Sequence, residues 1–197
     1  MKNNLSNIIN EAIMVANRLW SQGKVTGSSA NLSFRIGNQV YITGTGTSFG
    51  TLTENHFSVL DLEGNHIAGM KPSKEYPLHL ALYKHNSEYN AVLHTHSFYS
   101  TLWSCYSDIN TNDFIPKYTP YLEMLLGKIV LVPYAPPGSA ELFELFQKSL
   151  NSGGYILKNH GPVVASTGLT KALNAMEELE ESARLAWELR KENIKQI

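Results

Sequence analysis

The sequence predicts an α/β protein: a largely antiparallel sheet covered by helices, folded as one layered domain over residues 1–197. Three observations carry that expectation. Short apolar segments come in pairs around turn-prone residues, as hairpins do. Helical apolar periodicity frames the chain at both ends. No internal repeat, low-complexity tract or linker interrupts the 197 residues, a length that suits one substantial core.

Taken in order, Ile8, Ile9, Ala12, Ile13, Ala16, Leu19 and Trp20 recur at helical spacing, and Gly23 stands where a helix would stop. A polar stretch, Gly27-Ser28-Ser29-Ala30-Asn31, leads into strand-like pieces Leu32–Ile36 and Gln39–Thr43, split by the turn pair Gly37-Asn38. Gly44-Thr45-Gly46-Thr47 reads as a loop, and Val59–Leu62 with His66–Ala68 as a second hairpin around Glu63-Gly64-Asn65. Ser73 is a natural N-cap for a helix from Lys74 to about His85, with Pro77 tolerated in its first turn. Ala91–Thr95 reads as a buried strand, Ser97–Tyr106 as a short helix and Ile129–Pro133 as another buried strand. Then follow a helix over Gly138–Asn151, strands Tyr155–Lys158 and Val163–Ala165, and a long amphipathic helix from Gly168. Ala172, Leu173, Met176, Leu179, Ala183, Ala186 and Leu189 form its apolar stripe, and its charged residues read as a solvated face.

The totals exclude several functions. A hydrophobic content of 43% is ordinary for a globular protein, and a net charge of −1 argues against nucleic acid or an anionic membrane as main partner. No apolar run approaches the roughly 18 residues of a membrane span, and the first residues resemble no signal segment. Cys105 is the sole cysteine, which fits a reducing, cytoplasmic setting.

The chemistry concentrates in His94-Thr95-His96 and Asn159-His160-Gly161. On a strand, residues i and i+2 share a face with Cα atoms about 6.6 Å apart, so both imidazoles can reach one ion. His160, set in a tight turn, would complete a three-histidine set of the kind that holds catalytic zinc. Singly, each histidine is more simply a core residue hydrogen-bonded to backbone. Glu75 is the candidate fourth group, either capping its helix or shuttling a proton, and spacing does not choose between them. His56 and His66 read as turn residues and His85 as a helix-terminal cation, while His79, one turn beyond Glu75, is a weak candidate for supporting the site. The Gly44–Gly50 loop does not fit a dinucleotide fingerprint, yet with Gly27-Ser28-Ser29 and Ser73 it could cradle a phosphate. Lys74 is either an exposed helix residue or the positive charge a doubly anionic substrate needs.

Together, Gly27-Ser28-Ser29-Ala30-Asn31-Leu32-Ser33, Ile42-Thr43-Gly44-Thr45-Gly46, Lys71-Pro72-Ser73-Lys74-Glu75, His94-Thr95-His96-Ser97 and Asn159-His160-Gly161-Pro162 resemble the class II aldolase/adducin family. The resemblance implies a three-layer α/β/α fold with a central, mostly antiparallel sheet. It implies one zinc ion per subunit held by Glu75, His94, His96 and His160, with Glu75 also transferring a proton. Ser28, Asn31, Thr45, Gly46, Ser73 and Lys74 would bind substrate or its phosphate, and Tyr121 or Tyr118 would stand in for a family tyrosine. A cytoplasmic homotetramer with active sites at subunit interfaces is implied as well. Within the family the implied activity is a lyase breaking a C–C bond in a phosphorylated keto sugar acid, decarboxylating a 3-oxo-tetronate 4-phosphate to dihydroxyacetone phosphate and CO₂ through an enediolate. The alternatives are a sugar-phosphate aldolase of the fuculose or rhamnulose type, a methylthioribulose-phosphate dehydratase, or a non-catalytic module like the adducin head. Lys74 stands where the family's aldolases usually carry serine, and Glu75 where its 4-epimerases carry aspartate.

Overall fold

A computed structural model describes residues 2–106, 114–192 and 194. Helix α1 (Lys2–Ser21) ends at Gly23, whose φ of 67° is one that glycine adopts without strain. Strands β1 (Asn31–Ile36), β2 (Gln39–Thr43), β3 (Phe57–Asp61) and β4 (His66–Gly69) follow as a meander, each pairing antiparallel with the next. Helix α2 (Tyr76–His85) leads to β5 (Ala91–His94), and the short helices α3 (Phe98–Ser104) and α4 (Tyr121–Leu126) lead to β6 (Ile129–Val132). Helix α5 (Ala140–Lys148), β7 (Gly154–Leu157), β8 (Gly161–Ser166) and α6 (Leu169–Leu189) complete the order.

The eight strands form one sheet in the order β4-β3-β2-β1-β5-β8-β7-β6. Every pairing is antiparallel except β6 with β7, which α5 connects as a crossover. Strand alternation sorts the core into two layers. Leu32, Phe34, Ala91, Leu93, Ile156 and Val164 face the layer that holds α1 and α6. Val92, Tyr155, Leu157, Val163 and Ala165 face the layer of α2 and α5. The outcome is the expected α/β/α sandwich, and it places the side chains of Asn31, Ser33 and His94 on the α2 face.

Three expectations need correction, and one helix was missed. Ser73 is not an N-cap: α2 starts at Tyr76, with Glu75 in the cap position but making no side-chain cap bond. The Ser73 hydroxyl instead accepts from the Glu75 N–H at 3.4 Å, a turn that precedes the helix. The short helix α4 was not anticipated, since six residues carry too little periodicity to register. His66 opens strand β4, as the hairpin of Val59–Leu62 with His66–Ala68 had it, and does not lie in the turn. The charged residues of α6 are not all solvated: Glu180 is buried and accepts from the Tyr99 and Ser100 amides at 2.8 and 2.9 Å and from the Ser100 hydroxyl. It thereby caps α3, the helix that follows His96, from across the core.

Candidate metal centre

His94 is the last residue of β5, in register with Asn31 of β1 and Val163 of β8. The Thr95 amide still donates to the Pro162 carbonyl, and His96 follows. His160 arrives from the β7–β8 turn, where Asn159 adopts φ of 57°, a left-handed conformation that asparagine tolerates. The Asn159 amide is fixed by the Ser104 hydroxyl at 3.0 Å. Gly161 is required by close approach, since a Cβ there would sit 2.1 Å from the Thr95 carbonyl oxygen. Gly161→Ala is therefore expected to destabilise the protein by about 1–3 kcal/mol through forced backbone movement. It should also displace His160, so that thermal melts and zinc content fall together.

The three imidazoles converge. Ring centroids lie 5.1 Å apart for His94 and His96, 4.8 Å for His94 and His160, and 4.7 Å for His96 and His160. One nitrogen from each lies within 4.8 Å of the other two. The Glu75 carboxylate completes the set, with Oε2 3.3 Å from His94 Nε2 and Oε1 3.4 Å from His160 Nε2. Burial pushes His94 down to about 3, helped by His96 beside it and opposed by the Pro162 carbonyl that accepts from its Nδ1. His160 is likewise held at about 3, chiefly by burial and then by His94, against the pull of Glu75. His96 is lowered by burial, with Glu75 opposing and Lys74 adding.

At neutral pH these rings are uncharged, and because His94 Nδ1 donates to the Pro162 carbonyl its bare Nε2 faces a Glu75 oxygen, two lone pairs that repel without a cation between them. Among the described residues four buried side-chain polar atoms lack a hydrogen-bond partner, and three of them are Glu75 Oε1, His94 Nε2 and His160 Nδ1. Each such orphan costs about 1–3 kcal/mol, and two of them, Glu75 Oε1 and His94 Nε2, are atoms at which the carboxylate meets the imidazoles. Adjacent ligands on a tetrahedral zinc with bonds of 2.0–2.1 Å are about 3.3 Å apart. The Glu75 separations of 3.3 and 3.4 Å match that edge. The donor set fits zinc.

Beside the metal set opens a cleft of about 200 Å³. Ser28, Asn31, Thr45, Gly46, Ser73 and Lys74 all line it, together with Glu75, His96 and His160. Gly46 is held at φ of 76°, and the loop is pinned by the Thr45 amide on the Lys71 carbonyl and by the Thr47 hydroxyl on Gly44. Lys74 reaches across the cleft to the Pro137 carbonyl at 3.2 Å, and its ammonium helps to lower His96 and His160. Tyr121 is not brought in: it lies at the start of α4, 58% exposed and outside the cleft lining. Tyr118 instead packs on the α1/α6 core layer.

Behind Glu75 lies a chain of buried polar residues, of which spacing had singled out only His79, as a weak candidate for supporting the site. Asn31 Nδ2 donates to Glu75 Oε2 at 3.2 Å, and Asn31 Oδ1 lies 2.5 Å from His79 Nε2. His79 Nδ1 is 2.7 Å from the Ser33 hydroxyl, which is 2.7 Å from the Tyr83 hydroxyl. Burial holds His79 at about 3 and raises Tyr83. A signal was present in the sequence: positions 31, 33 and 35 share one strand face, while 75, 79 and 83 share one helix face. Their steps of about 6.6 Å and 6 Å nearly match.

Residues 10–187 match the Class II Aldolase and Adducin N-terminal domain. The chain is 40% identical over 187 residues to a 3-oxo-tetronate 4-phosphate decarboxylase of Haemophilus influenzae, covering 94% of this chain and 89% of that protein. It is also 40% identical over 177 residues to an L-fuculose phosphate aldolase of Methanococcus maripaludis, covering 90% and 94%. The crystal structure of YgbL from Escherichia coli, described as a putative aldolase/epimerase/decarboxylase, superposes with a TM-score of 0.92 at 35% identity. That alignment covers 97% of this chain and 93% of YgbL.

Proposed function

Since the chain belongs to the class II aldolase and adducin family, we propose that it is a zinc-dependent lyase decarboxylating a 3-oxo-tetronate 4-phosphate to dihydroxyacetone phosphate. The observation that carries the metal half of this reading is the convergence of three imidazoles beside the Glu75 carboxylate, where Glu75 Oε1 and His94 Nε2 lack any hydrogen-bond partner. The substrate half is supported by the similarity to the Haemophilus influenzae decarboxylase and by the cation and hydroxyls of the adjoining cleft.

In the reaction, the C1–C2 bond of the β-keto acid breaks, CO₂ leaves, and the bonding pair enters an enediolate over C2 and C3. A proton drawn from water is then added at C2, giving the hydroxymethyl group of dihydroxyacetone phosphate. Zinc bound between the histidines supplies Lewis-acid stabilisation of the developing negative charge. Glu75 holds and delivers the proton, because it is the carboxylate that faces both the histidines and the cleft. Thr45, Gly46, Ser28 and Ser73 bind the phosphate, and Asn31 orients Glu75. Lys74 holds the phosphate or the carboxylate of the substrate through its ammonium.

Lys74→Ser tests that last role. Loss of a charge-assisted contact worth about 1.5–3 kcal/mol should lower kcat/KM on the keto acid phosphate by roughly ten- to hundredfold. Unchanged kcat/KM would remove Lys74 from binding.

An aldolase reading has its own support in the Methanococcus maripaludis relative, and expulsion of an aldehyde from a ketose 1-phosphate leaves the same enediolate. Incubating zinc-loaded protein with both hands of 3-oxo-tetronate 4-phosphate, with fuculose and rhamnulose 1-phosphates, and with methylthioribulose 1-phosphate separates the readings. The expected product is CO₂; aldehyde release or water loss would reassign the reaction. An adducin-like module without catalysis is disfavoured by the complete donor set.

A cytoplasmic homotetramer with interfacial active sites belongs to the same proposal. Among the described residues no helix is long and apolar enough to cross a membrane. Exposed Phe98, Met124 and Leu125 are the kind of apolar surface that subunit contacts cover. In such an assembly Tyr121 would have to act on a neighbouring subunit's cleft, since its own does not contain it.

A further inference from the structure

The buried chain behind Glu75 has a fixed sense of hydrogen bonding. A carboxylate only accepts, so the amide group of Asn31 that faces Glu75 Oε2 must be its NH₂. Asn31 Oδ1 then faces His79 Nε2, which must carry the ring proton to donate to it. In the neutral ring Nδ1 is consequently bare and accepts from the Ser33 hydroxyl, whose oxygen accepts in turn from the Tyr83 hydroxyl. Each step leaves one orientation only. His79, Ser33 and Tyr83 are buried, so water offers no substitute partner.

The consequence falls on Glu75. Oε2 is tethered by Asn31, whereas Oε1 has no hydrogen-bond partner and is 3.4 Å from His160 Nε2. We propose that His79 is a positioning residue for proton transfer: through Asn31 it pins Glu75 by Oε2 and so fixes how the carboxylate faces the histidines and the cleft. Without the His79 N–H, the Asn31 amide can turn its oxygen toward Glu75, and the carboxylate loses its tether. This inference rests on the proton-transfer role proposed above for Glu75.

The tautomer is testable in the unmodified protein. Nitrogen-15 NMR of the zinc-loaded chain, and of the chain after chelation, should show His79 protonated at Nε2 and bare at Nδ1. The opposite tautomer overturns the inference.

Function is read by deuterium exchange into dihydroxyacetone phosphate, which needs only the product. Glu75 removes one hydroxymethyl proton, the pair enters the enediolate, and a deuteron acquired from D₂O returns to the same carbon. The zinc-loaded protein should exchange one of the two hydrogens stereospecifically. His79→Leu should slow exchange about 10- to 100-fold, the usual cost of losing such an outer partner, and blur its stereospecificity, with zinc content and KM retained. His79→Gln, whose amide places an N–H where Nε2 stood, should largely restore both. Should the leucine variant fail to fold, Ser33→Ala keeps the ring but removes the donor to Nδ1, and should give mixed tautomers with slowed exchange. Equal exchange in His79→Leu and the unmodified protein overturns the inference, as does absence of exchange in the unmodified protein. Exchange without CO₂ release from either keto acid phosphate overturns the decarboxylase reading and leaves the inference standing.

Discussion

Glu75→Gln is expected to keep the fold and most of the zinc while lowering kcat by about 10²- to 10⁴-fold, the usual range for loss of a positioned acid or base. Glutamine has nearly the same shape, and its carbonyl oxygen can still accept from Asn31 Nδ2, so the surrounding network survives. It cannot carry the proton. Steady-state kinetics beside metal analysis checks the pair of expectations, and full activity at full zinc would remove Glu75 from the reaction. The distinction matters because Glu75 sits in the N-cap position of α2 without making a cap bond. Its side chain turns instead to His94 and His160, which weighs against a mere capping role.

His94→Ala is expected to act one step earlier, on the metal itself. His94 is fully buried and its Nδ1 is held by the Pro162 carbonyl, which leaves Nε2 to point at the site. Loss of that nitrogen should lower zinc affinity by more than the roughly 10- to 100-fold that loss of an outer partner costs. Activity should disappear with it. Thermal denaturation gives an independent reading: zinc at 100 times its Kd stabilises the native chain by about 2.7 kcal/mol, so Tm should rise with added zinc. The alanine variant should lose that rise. A zinc-dependent Tm increase of undiminished size would place the ion elsewhere.

The convergence of the histidines was legible because strand alternation is a strong rule. Once Ala91–Thr95 reads as a strand, alternation places His94 and His96 on one face, and the two rings lie 5.1 Å apart although β5 itself ends at His94. His160 was legible from its setting, a turn between two strands closed by a glycine that the Thr95 carbonyl leaves no room to replace. Glu75 could not be resolved from spacing, because the choice between a cap and a ligand depends on where α2 begins. Its true start at Tyr76 lies two residues beyond the expected one. The partners of Glu75 were hidden for a related reason. Asn31 and Ser33 lie 44 and 46 residues from the side chains they meet, and only the β1 to α2 packing brings the two periodicities together. Glu180 was misread because an acidic residue in a helix is solvated far more often than buried, and its partners are backbone amides that leave no trace in composition. The parallel β6–β7 pair was likewise beyond a reading of isolated strands, which says nothing of their direction.

The central claim is that one zinc ion per chain, held by Glu75, His94, His96 and His160, makes the breaking carbon–carbon bond give up CO₂. Chelator-stripped protein titrated with zinc in the presence of 3-oxo-tetronate 4-phosphate addresses it directly. CO₂ and dihydroxyacetone phosphate should appear in equal amounts, at a rate that climbs linearly to one zinc per chain and then levels. Undiminished turnover in the stripped protein, or a fully loaded protein that releases no CO₂ from either hand of the substrate, would contradict the account.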